Sequence, residues 1–185
     1  KYPNIKFDYL NGQFQQTNKN IALTTIDTFK KFYPLKINKN QIRNGIKKTE
    51  WKRRLQFISK NVLADCAHNP SGFEVLREEL SIIKHQKNIK NFIFVVGIQK
   101  DKNIPIILRT INPLVSEIIF TKSKNEKASN PQELLKIFNG INKNKITIKK
   151  IINDPKKALK YAKKIADEKD LVVVTGSIYM VGEII

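Results

Sequence analysis

The spacing of apolar positions changes near Trp51. Upstream, residues 5 to 10 alternate apolar and polar side chains, which predicts a half-buried strand ended by Gly12. Asn18 to Phe32 then carry Ile21, Ala22, Thr25, Ile26 and Phe29 at three- and four-residue steps. That is the period of one helical face, and Pro34 stops the helix. Asn38 or Asn40 is placed to cap a second short helix, Gln41 to Lys47. Downstream, short apolar runs alternate with amphipathic segments. The predicted strands are Leu55–Ile58, Val62–Asp65, Phe92–Val96, Glu117–Thr121, Ile146–Lys149 and Leu171–Thr175. The predicted helices are Gly72–Lys84, Asn103–Ile111, Pro131–Phe138 and Pro155–Glu168. Strands alternating with helices imply an α/β, Rossmann-like fold, with a mostly parallel sheet and helices on both faces. The first fifty residues hold two helices and little sheet and bury little by themselves. They read as the incomplete end of another domain, which gives domains at 1–50 and 51–185.

Polar or glycine-bearing turns follow four of the apolar strands: Asp65 to His68, Gly97 to Asp101, Thr121-Lys122-Ser123 and Thr175-Gly176-Ser177. If the strands are parallel, these turns share one edge of the sheet, where ligands of open α/β sheets bind. The chain is organised around one of them, Asp65-Cys66-Ala67-His68-Asn69-Pro70. A carboxylate and an imidazole sit there between a strand and a helix with Phe73, Leu76, Leu80 and Ile83 on one face. Asn69 suits the cap of that helix and Pro70 its first position.

Composition narrows the chemistry. The 185 residues suffice for one good core plus a smaller piece. A single Cys excludes an internal disulfide and suggests a reducing compartment, hence the cytoplasm. No apolar run reaches the length of a membrane span, and Lys1-Tyr2-Pro3-Asn4 is no signal peptide. The net charge of +19 comes from lysines scattered through helices and loops rather than gathered on one element, so a solvated basic surface is expected rather than a nucleic-acid groove. Such a surface still favours small anions such as nucleotides or polyglutamates. There is no Gly-x-x-x-x-Gly-Lys-Ser/Thr loop, no Gly-x-Gly-x-x-Gly fingerprint and no Gly-x-Ser-x-Gly elbow. Two His and one Cys are too few for a zinc cluster, and His85, among lysines, is given no role.

Five segments in order resemble one family. Asp65-Cys66-Ala67-His68-Asn69-Pro70 resembles Asp-Gly-Ala-His-Asn-Pro. Gly12-Gln13-Phe14-Gln15-Gln16-Thr17-Asn18 resembles Gly-x-His-Gln-x-x-Asn, and Trp51-Lys52-Arg53-Arg54 resembles Trp-Pro-Gly-Arg. Gly97 to Lys102 resembles Gly-x-x-x-Asp-Lys. Thr175-Gly176-Ser177-Ile178-Tyr179-Met180-Val181-Gly182-Glu183 resembles Thr-Gly-Ser-Leu-Tyr-Leu-Val-Gly-Glu. Together they are similar to the folylpolyglutamate synthase / dihydrofolate synthase family of the Mur ligase superfamily, over the whole chain. Departures are Phe14 for His, Lys52-Arg53 for Pro-Gly, Cys66 for Gly, Asn103 for the last residue of Asp-Lys-Asp, and Lys127 where Arg is common.

The resemblance implies a Mur ligase C-terminal domain preceded by the helical tail of a central ATPase domain. It implies a ligase in which ATP converts a substrate carboxylate to an acyl phosphate and L-glutamate's amine displaces the phosphate. Asn18, Arg54 and Asp65 would bind ATP, His68 would be catalytic, and His68 and Ser177 would bind glutamate. The blander alternatives are a helix cap for Asn18, a surface arginine for Arg54, a helix-start aspartate for Asp65, a turn-bonding histidine for His68 and a turn serine for Ser177. Cys66 reads as a partly buried small residue rather than a nucleophile. Mg2+ would be held outside this chain, which has no metal ligands of its own. The other partner would be a folate or dihydropteroate-type substrate. No specific nucleic acid and no membrane are expected, a monomer is, and these residues alone are expected to be inactive. The competing readings are another amino-acid ligase of the superfamily and a non-catalytic basic nucleotide-binding module.

Overall fold

The computed structural model describes residues 5–34, 36–143 and 148–184. The chain forms two compact units, Lys1–Arg54 and Leu55–Ile185.

The first unit contains α1 (Phe14–Phe32) and α2 (Lys39–Lys48). Gly12, at φ 103°, turns the chain into α1, which therefore starts four residues earlier than the apolar spacing predicted. Asn38, not Asn40, caps α2: its Oδ1 accepts from the Gln41 N–H at 2.9 Å while Gln41 Oε1 accepts from the Asn38 N–H at 2.9 Å. The strand expected over residues 5 to 10 is absent. That segment has no neighbouring strand to pair with. Instead Ile5 packs with Ile42 and Ile46, Phe7 joins that cluster, and the Asp8 N–H bonds to the Lys47 carbonyl at 3.0 Å.

The second unit is a six-stranded sheet with helices on both faces. Its strands are β1 (Gln56–Ser59), β2 (Val62–Ala64), β3 (Phe92–Val96), β4 (Val115–Phe120), β5 (Ile148–Ile151) and β6 (Leu171–Thr175). They lie in the order β1-β2-β6-β3-β4-β5. All neighbouring pairs are parallel except β1 with β2. Only Lys60 and Asn61 join those two, and a parallel crossover needs a dozen residues or more. Residues 146 and 147 of the strand predicted at Ile146–Lys149 lie outside the described residues. The helices are α3 (Pro70–Gln86), α4 (Ile104–Ile111), α5 (Pro131–Ile141), α6 (Pro155–Ile165) and α7 (Ile178–Ile184). The last of these the apolar spacing did not predict.

Strands β3 and β6 are buried at every position, as interior parallel strands covered on both faces are. Alternate residues serve opposite layers. Ile93, Val95, Val172 and Val174 pack with Ala158 and Ala162 of α6 and with Met180 and Val181 of α7. On the other face Phe120 meets Phe138 of α5 edge-on at 5.8 Å, and Lys84 of α3 lies over Phe92. Because β2, β3, β4 and β6 run parallel, the turns that follow them open on one edge of the sheet. No helix among the described residues is long and apolar enough to cross a membrane.

Candidate functional site

The edge is built where β2 and β6 run past their last paired residues. The Asp65 N–H bonds to the Val174 carbonyl at 3.0 Å, and the Gly176 N–H bonds to the Ala67 carbonyl at 3.1 Å. The turn carrying Asp65 to His68 is thereby fastened to the turn carrying Ser177. The Asp65 side chain, 9% exposed, works inside its own turn. Its Oδ2 accepts from the Leu55 N–H at 2.9 Å and its Oδ1 from the Ala67 N–H at 2.7 Å. An ionised carboxylate can serve two diverging N–H groups at once and keep lone pairs for a further donor.

His68 is half-buried, with Nδ1 at 2.9 Å from the Cys66 carbonyl. A carbonyl oxygen only accepts, so Nδ1 carries the hydrogen. In the neutral ring Nε2 is then the acceptor. Asn69 caps α3 by accepting from the Gly72 N–H at 2.8 Å, with Pro70 in the first helical turn, as the sequence indicated. His68 is thus held between a strand end and a capped helix.

Ser177 is buried, 2% exposed. Its Oγ lies 3.5 Å from the Met180 N–H at the start of α7, the contact of a helix-capping serine. Its neighbour Gly176 has φ 112°, and a Cβ there would stand 2.6 Å from the Gly97 carbonyl oxygen. Only glycine lets the ends of β3 and β6 meet this closely.

The loops after β3 and β4 are zipped together. Gln99 bridges Ala128, the Lys100 N–H bonds to the Lys127 carbonyl at 2.8 Å, and the Ser129 N–H bonds to the Ile98 carbonyl at 2.9 Å. Asp101 pairs with Lys102 at 2.8 Å, and that hydrogen bond holds its carboxyl below the usual carboxylate range. Asn103 caps α4 through Oδ1, so replacing the family's Asp here keeps the acceptor. A cavity of about 610 Å3 lies at the same edge, lined in part by Lys122, Ser123, Asn153 and Lys156.

The first unit holds the other two expected residues. Asn18 lies on an exposed face inside α1, whose cap position is Gln13, so the helix-cap alternative for Asn18 falls away. Its Nδ2 donates to Gln15 Oε1 at 2.9 Å. The Arg54 guanidinium lies over the Phe14 ring, 5.2 Å from the centroid. Residues on both sides of Arg54 adopt the left-handed conformation, Arg53 at φ 63° and Leu55 at φ 47°. The structure therefore gathers Asp65, His68 and Ser177 on adjoining turns of one unit, and brings Arg54 to the first turn of the helix that bears Asn18 in the other. Among the described residues no group of three or more His, Cys, Asp and Glu side chains could hold a metal ion.

Two features escaped sequence reasoning. Asp65 is the clamp of its own turn, a role with no local signal because one of its partners is ten residues away. Gln15 is nearly fully buried, although its helical face is otherwise half polar.

Residues 53–178 match the family described as Mur ligase, glutamate ligase domain. A dihydrofolate synthase/folylpolyglutamate synthase of Bacillus subtilis is 25% identical over 94% of this chain and 39% of its own length. A folylpolyglutamate synthase of Mycobacterium tuberculosis, solved with ADP and AMPPCP, superposes with a TM-score of 0.81 at 20% identity, over 98% of this chain and 41% of that one. A folylpolyglutamate synthase of Thermotoga maritima superposes with a TM-score of 0.73 at 27% identity, over 99% of this chain and 40% of that one. The chain thus spans about two fifths of the length of these relatives.

Proposed function

Because the chain belongs to the Mur ligase family through its glutamate ligase domain, we propose that it is part of an ATP-dependent amide ligase of the folylpolyglutamate/dihydrofolate synthase type. The substrate is a folate or dihydropteroate-type carboxylic acid, and the incoming amine is that of L-glutamate. The observation that carries this reading is His68. It sits at the carboxyl edge of a parallel sheet, and the Cys66 carbonyl fixes the tautomer that leaves Nε2 as the acceptor.

The chemistry sets the demands on the site. The substrate carboxylate attacks the γ-phosphorus of ATP, giving an acyl phosphate and ADP. The glutamate amine attacks the acyl carbon, the amide forms, and inorganic phosphate leaves with the bonding pair. The amine must first lose its ammonium proton, and His68 Nε2 is the acceptor for it. Two anionic reactants also have to be held together away from water, since an acyl phosphate hydrolyses readily. Asp65 receives a ribose hydroxyl while the turn stays clamped. Arg54 serves the nucleotide phosphates, where a planar fork fits two oxygens, and Asn18 reads the adenine. Ser177 shapes the glutamate pocket through its turn. The described residues do not make a magnesium centre, and no step here passes through one. The enzyme works as a monomer in the cytoplasm.

The test is His68→Ala in the full-length protein. Turnover or glutamate affinity should fall by about tenfold or more, up to the 10²–10⁴ scale of lost acid–base catalysis. ATP binding and thermal midpoint should stay where they are. A lower melting temperature with unchanged glutamate kinetics would make His68 a structural turn residue and overturn the assignment.

A further inference from the structure

The charge of Arg54 is held without a counter-charge. Its guanidinium lies over the Phe14 ring, 5.2 Å from the centroid, and among the described residues its side chain makes no hydrogen bond and no ion pair. The arginine is exposed, while Phe14, the first residue of α1, is half-buried. The resembled Gly-x-His-Gln motif has histidine where this chain has Phe14. We propose that Phe14 is a positioning residue for the nucleotide phosphates. Its ring face holds the Arg54 guanidinium in place and leaves the N–H groups for phosphate oxygens. This rests on the reading that Arg54 serves those phosphates, and adds what holds the arginine ready for them.

Possible partners for a guanidinium differ in what they leave for a ligand. A carboxylate would neutralise the charge and take two of the five N–H donors. A protonated histidine would repel it, and a neutral one would take a donor on its bare ring nitrogen. A phenylalanine ring attracts the cation through its quadrupole and has no lone pair to accept a hydrogen. Both the charge and the donor fork therefore remain for a phosphate. A free arginine side chain loses much rotamer freedom when it binds. One already resting on a half-buried ring loses less, which is preorganisation. The ring also stands in a useful place along the helix. Phe14 and Asn18 are four residues apart, so they are neighbours on one face of α1, a turn apart. The contact sets the guanidinium on the face that carries the Asn18 amide, where both can meet a single nucleotide.

The experiment measures KM for ATP and KM for L-glutamate in the full-length protein, since neither depends on how much of a variant folds. Phe14→Leu keeps an apolar side chain and removes the ring face. It should raise KM for ATP about two- to fivefold, the range of one exposed cation–π contact, and hold KM for glutamate within about twofold of the parent. Phe14→Tyr restores the face and should hold KM for ATP within about twofold. Arg54→Ala separates the two layers of the argument. If it leaves KM for ATP unchanged, the phosphate reading of Arg54 fails and the role of Phe14 with it. If it raises KM for ATP while Phe14→Leu does not, Arg54 keeps its role and the positioning by Phe14 is overturned. In the Arg54→Ala background Phe14→Leu should add nothing, because the ring acts only through the guanidinium. A Phe14→Leu effect that persists there would overturn the proposal. So would an equal rise in Phe14→Leu and Phe14→Tyr, since the loss would then not track the ring face.

Discussion

The two units of this chain solve the burial problem to different degrees. In the second, β3 and β6 lie between two layers of helices, and Phe73, Phe92, Phe94, Phe120 and Phe138 are all fully buried. In the first, three buried isoleucines, Ile5, Ile42 and Ile46, make the core among the described residues, rimmed by the half-buried Phe7, Leu23, Ile26 and Ile37. The same short unit exposes Tyr9, Ile21, Phe29, Phe32, Tyr33 and Trp51, each more than half open. It also carries thirteen of the 35 Lys and Arg against three of the 16 Asp and Glu, which puts more than half of the net charge in under a third of the chain. A sheet covered on both faces closes its own core. Two helices and a lead-in segment cannot, because a helix pair offers one seam and leaves the outer stripes to water.

Equivalent cuts in the two cores give the most direct way to break this comparison. Phe94→Ala removes a fully buried ring from the central strand and should cost about 3–5 kcal/mol, because close-packed walls on both faces cannot collapse into the hole. Ile42→Ala, in the small helical cluster, should cost about 2 kcal/mol, the low end for such a cut, because its half-buried rim can close in. Urea midpoints at unchanged slope measure both losses. Equal losses would show the first unit to be as rigidly packed as the second and end the contrast.

A smaller effect sharpens the contrast at the seam of the chain. Arg53 holds φ 63°, a conformation that costs an ordinary residue about 1–2 kcal/mol. The resembled Trp-Pro-Gly-Arg motif has glycine there, and glycine takes that conformation freely. Arg53→Gly should therefore raise stability by about 0.5–1 kcal/mol after the added freedom of the unfolded chain is counted, and leave Arg54 over Phe14. Thermal midpoints of the parent and the variant decide it. A destabilised variant would mean that the contacts of the Arg53 side chain outweigh the strain of its backbone.

What the sequence disclosed follows the same division. Phe92–Val96 and Leu171–Thr175 occupy the predicted residues, because a continuous apolar run ended by Gly or Thr-Gly has few other ways to be buried. Asn69 caps the helix it precedes, since caps are local chemistry. Alternation over residues 5 to 10 misled because period two describes a strand only when another strand lies alongside. The lead-in satisfies its side chains on α2 instead. Helix α7 hid inside a motif: seven residues that include Gly182 carry little helical signal, and Ser177 starts it from a buried turn. At the candidate site, the sequence names residues without showing what they attach to. Asp65 to Leu55 and Asn18 to Gln15 are bonds that only the folded chain displays.

The smallest expected effect concerns acidic charge, which the two units also divide unequally. Glu117 on β4 is half-buried, and its carboxyl is pushed above the ordinary range, first by loss of solvation and then by the nearby Asp170 carboxylate. Asp170 is itself held by the Asn91 amide at 2.9 Å and the Asp167 N–H at 3.0 Å, so it does not move away. A carboxyl that binds its proton more tightly when folded than when unfolded makes the folded state the proton-richer one. Stability must then fall as pH rises from the unfolded value near 4.5 through the higher folded one, and stay reduced above it. Glu117→Gln removes that loss. The variant should be more stable than the parent at neutral pH, by less than about 1 kcal/mol because solvent screens the pair, and should match it below the unfolded value. Denaturation midpoints of both proteins across that pH range test it. A parent that gains stability on the variant as pH rises would show Glu117 to be favourably paired, and the second unit to gain from the acids that the first unit lacks.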